Sequence, residues 1–419
     1  MQVADFDFQL PKQLIAQEPA EPRDAARLLV CNRQNEHIEH RIFAELDQLL
    51  SANDVLVLNQ TRVEPRRLFG HKRETGGKVE ILLLEKREDS NWECKVSPGL
   101  KIGQVVEIKR QRQTSGRLPS LCAVVVCTNQ EGNYLIEFTH PIEKYWQDFG
   151  CLPIPPYIKD YQGDPELYQT IYANADGSVA APTAGRHFTD ALFERLKQKG
   201  VQIEYLTLHV SRDTAFPIIK QDKVEDVTLH SEWVEITPEV AQRLNQAKQA
   251  GKRIIAMGTT SVRSLEGVAR ISAKCKANSV KQGSANLIVE SEKQDNASAE
   301  IDESCHSTAD CHSRAGGNLA NKLCTRFDTS DQTGVLQVDC LDGDQGFLIG
   351  YRGPVDLFIY PGFEFGVIDG MITNFHFPRS TLIMLVSAFL GKDKTLQVYQ
   401  EAVRQQYRFF SFGDAMLVR

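Results

Sequence analysis

Three short runs bring together residue types that can move a proton or hold an anion. Met257-Gly-Thr-Thr-Ser-Val-Arg263 joins an apolar run to an amphipathic one, so Gly258, Thr259, Thr260 and Ser261 fall at a helix start. Backbone N–H groups and hydroxyls at such a turn can hold a phosphate or carboxylate, with Arg263 one turn further on to add charge; plain helix capping explains the same residues. Pro182-Thr-Ala-Gly-Arg-His-Phe-Thr189 surrounds His187 with small residues, Thr183 among them. Small residues let a ligand approach the backbone, and an imidazole there can exchange protons near neutrality, although a lone histidine is often structural. Thr373-Asn-Phe-His-Phe-Pro-Arg-Ser-Thr381 sets Asn374, His376 and Arg379 just before an apolar run, where they can hydrogen-bond a nucleobase or an amino-acid group, or where Ser380 simply caps a helix.

Two further runs mix cations with aromatics or strands. The tail Arg404-Gln-Gln-Tyr-Arg-Phe-Phe-Ser-Phe-Gly-Asp414 combines Arg404 and Arg408 with rings, a mixture that suits stacked bases and phosphates and equally a buried aromatic cluster beside a solvated face. Arg62, Arg66, Arg67, Lys72 and Arg73 crowd the start of a β-rich segment and can meet a phosphate backbone or face solvent.

The elements that must position these residues follow from periodicity. Asn53-Asp-Val-Leu-Val-Leu-Asn59 reads as a buried strand. Short β-rich runs from Lys78, Trp92, Gln104 and Leu121, punctuated by Gly76-Gly77, Pro98-Gly99 and Glu131-Gly-Asn133, predict a small barrel or sandwich over 66–149. From Gly150 strands and helices alternate: a helix capped by Thr189 and ended by Gly200, a strand over Val201–Val210, a helix opened by Thr237-Pro238 and ended near Gly251, and a strand at Arg253–Met257. An apolar helix is expected from Ser380 to Gly391 and another over Thr395–Tyr407. The expected fold is an α/β main domain (1–65 and 150–419) carrying an inserted β-rich, barrel-like small domain (66–149). Residues 272–345 are polar and aperiodic and read as a low-complexity, disordered insertion within the main domain.

Composition bounds the function without choosing it. The chain has 419 residues, 42% hydrophobic and 25% charged, ordinary for a folded protein. A net charge of -7 means that any polyanion must be met by a local basic patch. Ten scattered cysteines without a basic leader favour reduced thiols and a cytoplasmic location. No apolar run is long enough to span a bilayer. There is no Gly-x-Gly-x-x-Gly turn after a strand and no compact cysteine triplet, so neither a Rossmann site nor an iron–sulfur cluster is supported. Cys305, His306, Cys311, His312 and Cys324 lack the framing of a zinc knuckle, and no metal is expected.

In order along the chain, these segments resemble the S-adenosylmethionine:tRNA ribosyltransferase-isomerase family of queuosine biosynthesis. The resemblance runs from Asp5-Phe-Asp-Phe8, Leu14-Ile-Ala-Gln17 and Arg23-Asp24 through Val57-Leu-Asn59, Thr61-Arg-Val63, Leu152-Pro-Ile-Pro-Pro-Tyr-Ile158 and Tyr168-Gln-Thr-Ile-Tyr-Ala173. It continues with Gly177–Gly185, His187-Phe-Thr189, Thr207-Leu-His-Val210, His230-Ser-Glu232, Gly258–Arg263, Thr373-Asn-Phe-His376, Tyr407-Arg-Phe-Phe410 and Gly413-Asp-Ala-Met416. The chain departs from the family pattern at Gln60, Glu64, Arg66, Arg186, Ser211–Phe216, Val227 and Arg379.

The resemblance implies transfer and isomerisation of the ribosyl group of S-adenosylmethionine onto 7-aminomethyl-7-deazaguanine in tRNA, giving epoxyqueuosine with release of adenine and methionine. It implies S-adenosylmethionine as co-substrate, no permanently bound cofactor, tRNA as partner and a monomeric protein. A base must take the proton next to the sulfonium, the attacking amine must be neutral, departing adenine must be stabilised and water must be excluded. By residue chemistry, His187 is expected to be the base and Asp414 a second proton carrier. Gly258 to Arg263 is expected to hold the methionine carboxylate or an RNA phosphate. Thr183, Asn374, His376 and Arg379 would line the substrate pocket, and Arg62, Arg67, Arg404 and Arg408 would meet tRNA. Two rivals remain: an S-adenosylmethionine-dependent tRNA methyltransferase, which would release S-adenosylhomocysteine, and a non-catalytic tRNA-binding protein, which would leave S-adenosylmethionine untouched.

Overall fold

The computed structural model describes residues 1–35, 37–88, 90–111, 119–129, 132–159, 161, 163–210, 219, 221–282, 337–339 and 346–419. Among these, residues 1–64, 152–282, 337–339 and 346–419 form one compact unit and residues 65–151 a second. Most of the 272–345 insertion, the Cys305–Cys324 set and the Ser211–Phe216 departure lie outside the described residues.

The second unit is the inserted β-rich domain. Its strands run in the order Arg67–Lys72, Lys78–Glu88, Asn91–Ser97, Tyr134–Phe138, Cys122–Thr128 and Val105–Ile108, and the last pairs back onto the first. All of these pairings are antiparallel, so the sheet closes into a barrel and most of its strand edges disappear. Alternation along the strands sends Leu68, Ile81, Leu83, Trp92, Val106 and Ile136 into one core.

The first unit is built on a ten-stranded mixed sheet. Its centre is four parallel strands in the order Gln202–His209, Asp54–Asn59, Arg253–Met257 and Gly370–Asn374. Asp54–Asn59 and Gly370–Asn374 are buried at every residue, which is why the first reads as an apolar run without a polar face. Ala415–Val418 runs antiparallel to Gly370–Asn374 and parallel to Arg27–Cys31, and Ile38–Ile42 closes that edge. On the other side lie Glu232–Ile236, Gly350–Val355 and Gln337–Asp339, all antiparallel.

Helix boundaries obey local chemistry. Thr189 Oγ1 accepts from Leu192 N at 3.2 Å to start Asp190–Gln198, and Gly200 follows at φ +78°. Thr237 caps Pro238–Gln249, and Ser380 caps the apolar helix Thr381–Leu390. Two boundaries differ from expectation. The helix that opens at Gly258 continues to Gln282, because Ser272 bonds Val268 O at 2.7 Å and accepts Ile349 N at 3.2 Å within the unit. A polar composition there conceals a buried helical face. The next helix is Lys392–Arg404 and starts before Thr395, whose hydroxyl bonds back to Gly391 O at 2.8 Å from inside the first turn.

Among the described residues no disulfide joins two cysteines. Among the described residues no helix is long and apolar enough to cross a membrane.

Candidate active site

Parallel strands end with the loops that follow them on one edge of the sheet, where α/β folds place ligands. Here Met257 leads directly into Gly258, Asn374 into His376, and His209 into Val210. Gly258, Thr259, Thr260, Thr373, Asn374, His376, Phe377 and Val210 line one cleft. Pro182, Thr183 and Ala184 form another part of the wall, and Phe410 and Ser411 a third. Four of the runs singled out in the sequence therefore meet.

The backbone makes this possible at two glycines. Gly258 sits at φ +82°, a conformation that bulkier residues rarely adopt, and this turns the chain from strand into helix without an intervening loop. Gly185 lies against Tyr172 so closely that a Cβ would stand 1.8 Å from its hydroxyl oxygen. That contact folds Thr183–His187 into a buried 3-10 turn beside the strand Gly370–Asn374.

Asn374 is the hub. Its Oδ1 accepts from Thr183 Oγ1 at 2.9 Å, while its Nδ2 donates to the Asp414 carbonyl at 3.2 Å and meets His187 Nε2 at 3.3 Å. His187 is thus joined to the cleft through Asn374 and is not itself among the lining residues. It packs on Phe43 at 4.9 Å between ring centroids. Burial, helped by the neighbouring Arg186 charge, drives its pKa down to about 3. The expectation that His187 takes the substrate proton directly meets this obstacle: it stands one residue behind the wall.

His376 does line the cleft. Its Nε2 meets Thr373 Oγ1 at 2.8 Å, its backbone N–H donates to Tyr399 Oη at 3.2 Å, and burial lowers its pKa to about 3. Both imidazoles are neutral at physiological pH.

Several expected residues are engaged elsewhere. The Asp414 carboxylate accepts from the backbone N–H of Arg27 at 3.0 Å and of Arg408 at 2.7 Å, and pairs with the Arg408 guanidinium at 3.3 Å, so it ties the tail together and does not line the cleft. Ser261 Oγ bonds back to Met257 O at 2.7 Å within its helix. Arg263 forms a buried ion pair with Glu232 and donates to Leu357 O at 3.1 Å, turning its charge away from the cleft. Arg379 is exposed, absent from the cleft wall and held at φ +56°. The arginines expected to meet tRNA each have an acid partner: Arg62 with Glu166 at 2.8 Å, Arg67 with Glu80 at 2.9 Å, Arg404 with Glu401 at 2.7 Å, and Arg408 with Asp414. The Arg62 and Arg404 pairs face outward, are worth about 0–1 kcal/mol and yield readily to a phosphate, whereas Asp414 is buried and Arg67 largely covered.

The tail's rings, read from the sequence as suited to stacked bases, join two aromatics that went unassigned. Tyr157, Phe377 and Phe410 all line the cleft; Phe377 stacks on Phe410 at 3.3 Å between centroids, and Tyr157 lies 5.3 Å and 5.2 Å from them. Tyr157 Oη and Ser411 Oγ are 2.7 Å apart, and Phe410 holds φ +70° to present its ring. The signal was present in Pro155-Pro156-Tyr157 and in the tail, but only folding brings them together.

Among the described residues, the cleft lining includes no Asp, Glu, Lys or Arg. Arg186 lies buried nearby, donating to Leu167 O at 2.8 Å and Ser411 O at 2.5 Å over the Phe412 ring; burial lowers its pKa to about 9, which leaves it cationic.

A family model described as "Queuosine biosynthesis protein" matches residues 3–300 and 334–418. A protein of Desulfitobacterium hafniense named S-adenosylmethionine:tRNA ribosyltransferase-isomerase is 41% identical over 422 residues, covering 100% of both chains. A protein of the same name from Thermotoga petrophila is 40% identical over 418 residues, again covering 100% of both. A crystal structure titled S-adenosylmethionine tRNA ribosyltransferase, from Thermotoga maritima, is 32% identical, covers 99% of this chain and 100% of that one, and superposes with a TM-score of 0.46.

Proposed function

The chain belongs to the queuosine biosynthesis protein family, and we propose that it catalyses the reaction its relatives are named for, transfer and isomerisation of the ribosyl group of S-adenosylmethionine onto tRNA. The acceptor is 7-aminomethyl-7-deazaguanine in the tRNA, the product epoxyqueuosine, and adenine and methionine leave. The protein works as a cytoplasmic monomer, with S-adenosylmethionine consumed as co-substrate.

The convergence of Thr183, Gly258–Thr260, Thr373–Phe377 and Phe410 on one cleft carries this reading. A sulfonium brings its own positive charge, and the aromatic faces of Tyr157, Phe377 and Phe410 can receive a cation or an adenine ring. His376 is the proton acceptor. When its Nε2–H is donated to Thr373 Oγ1, the Nδ1 lone pair is left to take the proton that the sulfonium acidifies. The neutral imidazole adds no second cation beside the first, and the burial that keeps it neutral also makes it a weak acceptor. His187 acts through Asn374 as a positioning residue, and Thr183 fixes the other end of that amide. Arg62, Arg67, Arg404 and Arg408 meet tRNA phosphates, Arg62 and Arg404 by exchanging their exposed acid partners.

Incubation with S-adenosylmethionine and precursor-bearing tRNA tests the reading. Free adenine and methionine in equal amounts are expected; S-adenosylhomocysteine would identify a methyltransferase, and intact S-adenosylmethionine a tRNA-binding protein without this chemistry.

A further inference from the structure

Within that reading of the cleft, we infer that the helix N-terminus at Gly258–Thr260 is the seat of the α-amino-acid carboxylate of S-adenosylmethionine, with the Thr260 hydroxyl as its side-chain donor. Two independent observations support it. The first is the helix itself. Gly258–Gln282 is 25 residues long, and its first N–H groups, which have no intrahelical acceptor, open where Gly258, Thr259 and Thr260 line the cleft. The second is Thr260 Oγ1. It is buried, the residue being 6% exposed, and it has no hydrogen-bond partner among the described residues although it belongs to the cleft wall. A buried hydroxyl without a partner destabilises the empty protein, so its retention calls for a ligand atom that completes it.

The chemistry of the surroundings selects a small carboxylate over a nucleic-acid phosphate. Ser261 and Arg263, which would widen the site for a polyanion, are bonded to Met257 O and Glu232, respectively. What remains is the hydroxyls of Thr259 and Thr260 and a few backbone donors, enough for a single monoanion. Ala184 at 3.7 Å from the position of a Gly258 Cβ keeps the seat narrow. The carboxylate end at Gly258 and the rings of Tyr157, Phe377 and Phe410 then fix which way round the co-substrate lies.

Thr260→Val tests this, because it removes the hydroxyl and keeps the shape. Binding of S-adenosylmethionine and of its decarboxylated analogue is measured by calorimetry on the full chain, alongside thermal unfolding of the unliganded protein. The variant is expected to lose about tenfold or more in affinity for S-adenosylmethionine, as a hydrogen bond to a charged group implies, while decarboxylated S-adenosylmethionine binds both proteins alike. Its melting temperature should stay level or rise, which separates lost binding from lost folding. Unchanged S-adenosylmethionine affinity, or equal losses for both ligands, would overturn the assignment. Failure of the unsubstituted protein to bind S-adenosylmethionine at all would overturn the reading of the cleft along with it.

Discussion

Two buried neutral histidines give this fold a predictable weakness to acid. His187 and His376 are held at pKa values of about 3 against an ordinary value of 6.5, in both cases chiefly because burial penalises the charged ring. The depressed pKa means that the unfolded chain binds protons first, so stability is complete above the ordinary value and falls as pH drops toward 3. At about pH 5 the unfolded state of each histidine has gained roughly 1.5 pK units of proton binding that the folded state lacks, or ~2 kcal/mol per ring at 1.36 kcal/mol per unit. The perturbation is His187→Asn, His376→Asn and the pair together. Urea unfolding at about pH 7 and about pH 5 gives, for each protein, the loss of stability between the two conditions. Every other titrating group contributes equally to all four proteins and cancels in the comparison. Each single variant should lose ~2 kcal/mol less than the unsubstituted chain between the two pH values, and the pair ~4 kcal/mol less. A double variant with the same acid sensitivity as the parent would mean that these rings are charged or solvated in the folded protein, and the account of both as neutral groups would fail.

Three further outcomes follow from the site. His376→Asn should reduce adenine release by ~10²–10⁴-fold with S-adenosylmethionine affinity nearly intact, the usual range for a lost general base, whereas His187→Asn should cost about tenfold through a loosened Asn374; a larger loss at His187 would return the base to that residue. Arg263→Met breaks a buried ion pair with Glu232 and should destabilise the chain by ~3–5 kcal/mol in urea unfolding, against which a change of less than ~1 kcal/mol would count. Arg404→Ala should weaken tRNA binding and flatten its dependence on salt by about one unit of slope while leaving S-adenosylmethionine affinity alone, and an unchanged slope would remove Arg404 from the tRNA surface.

The sequence disclosed most of the frame because frame residues obey local rules. Thr189, Thr237 and Ser380 announce helix starts through their hydroxyls, Gly200, Gly251 and Gly391 mark ends through positive φ, and the apolar runs at Asp54–Asn59 and Arg253–Met257 must be buried on both faces. Barrel closure was legible only as strands with turns, since the pairing of Arg67–Lys72 with Val105–Ile108 is a long-range fact. The site was legible as segments and illegible as geometry. His187 and His376 are the same residue type in equally promising loops, and only packing puts one behind Asn374 and the other on the wall. Arg263 looked like an anion ligand because nothing local reveals that Glu232, 31 residues earlier, reaches it on an antiparallel strand. Tyr157 went unassigned because its partners Phe377 and Phe410 are more than two hundred residues away.

The charge balance of the cleft explains why the wall is built as it is. A carboxylate facing the sulfonium would bind the cation but also stabilise the ground state, with no gain for the step that removes a proton beside it. The described wall instead offers quadrupoles, hydroxyls and a neutral imidazole. Positive charge is kept one layer back, in Arg186, where its guanidinium holds Ser411 O and so the turn that presents Phe410. Burial alone keeps His376 neutral, whereas the Arg186 charge helps to lower the pKa of its own neighbour His187. The described wall therefore sets no ionised side chain beside the proposed proton acceptor, and the buried cation nearby serves the backbone that carries Phe410.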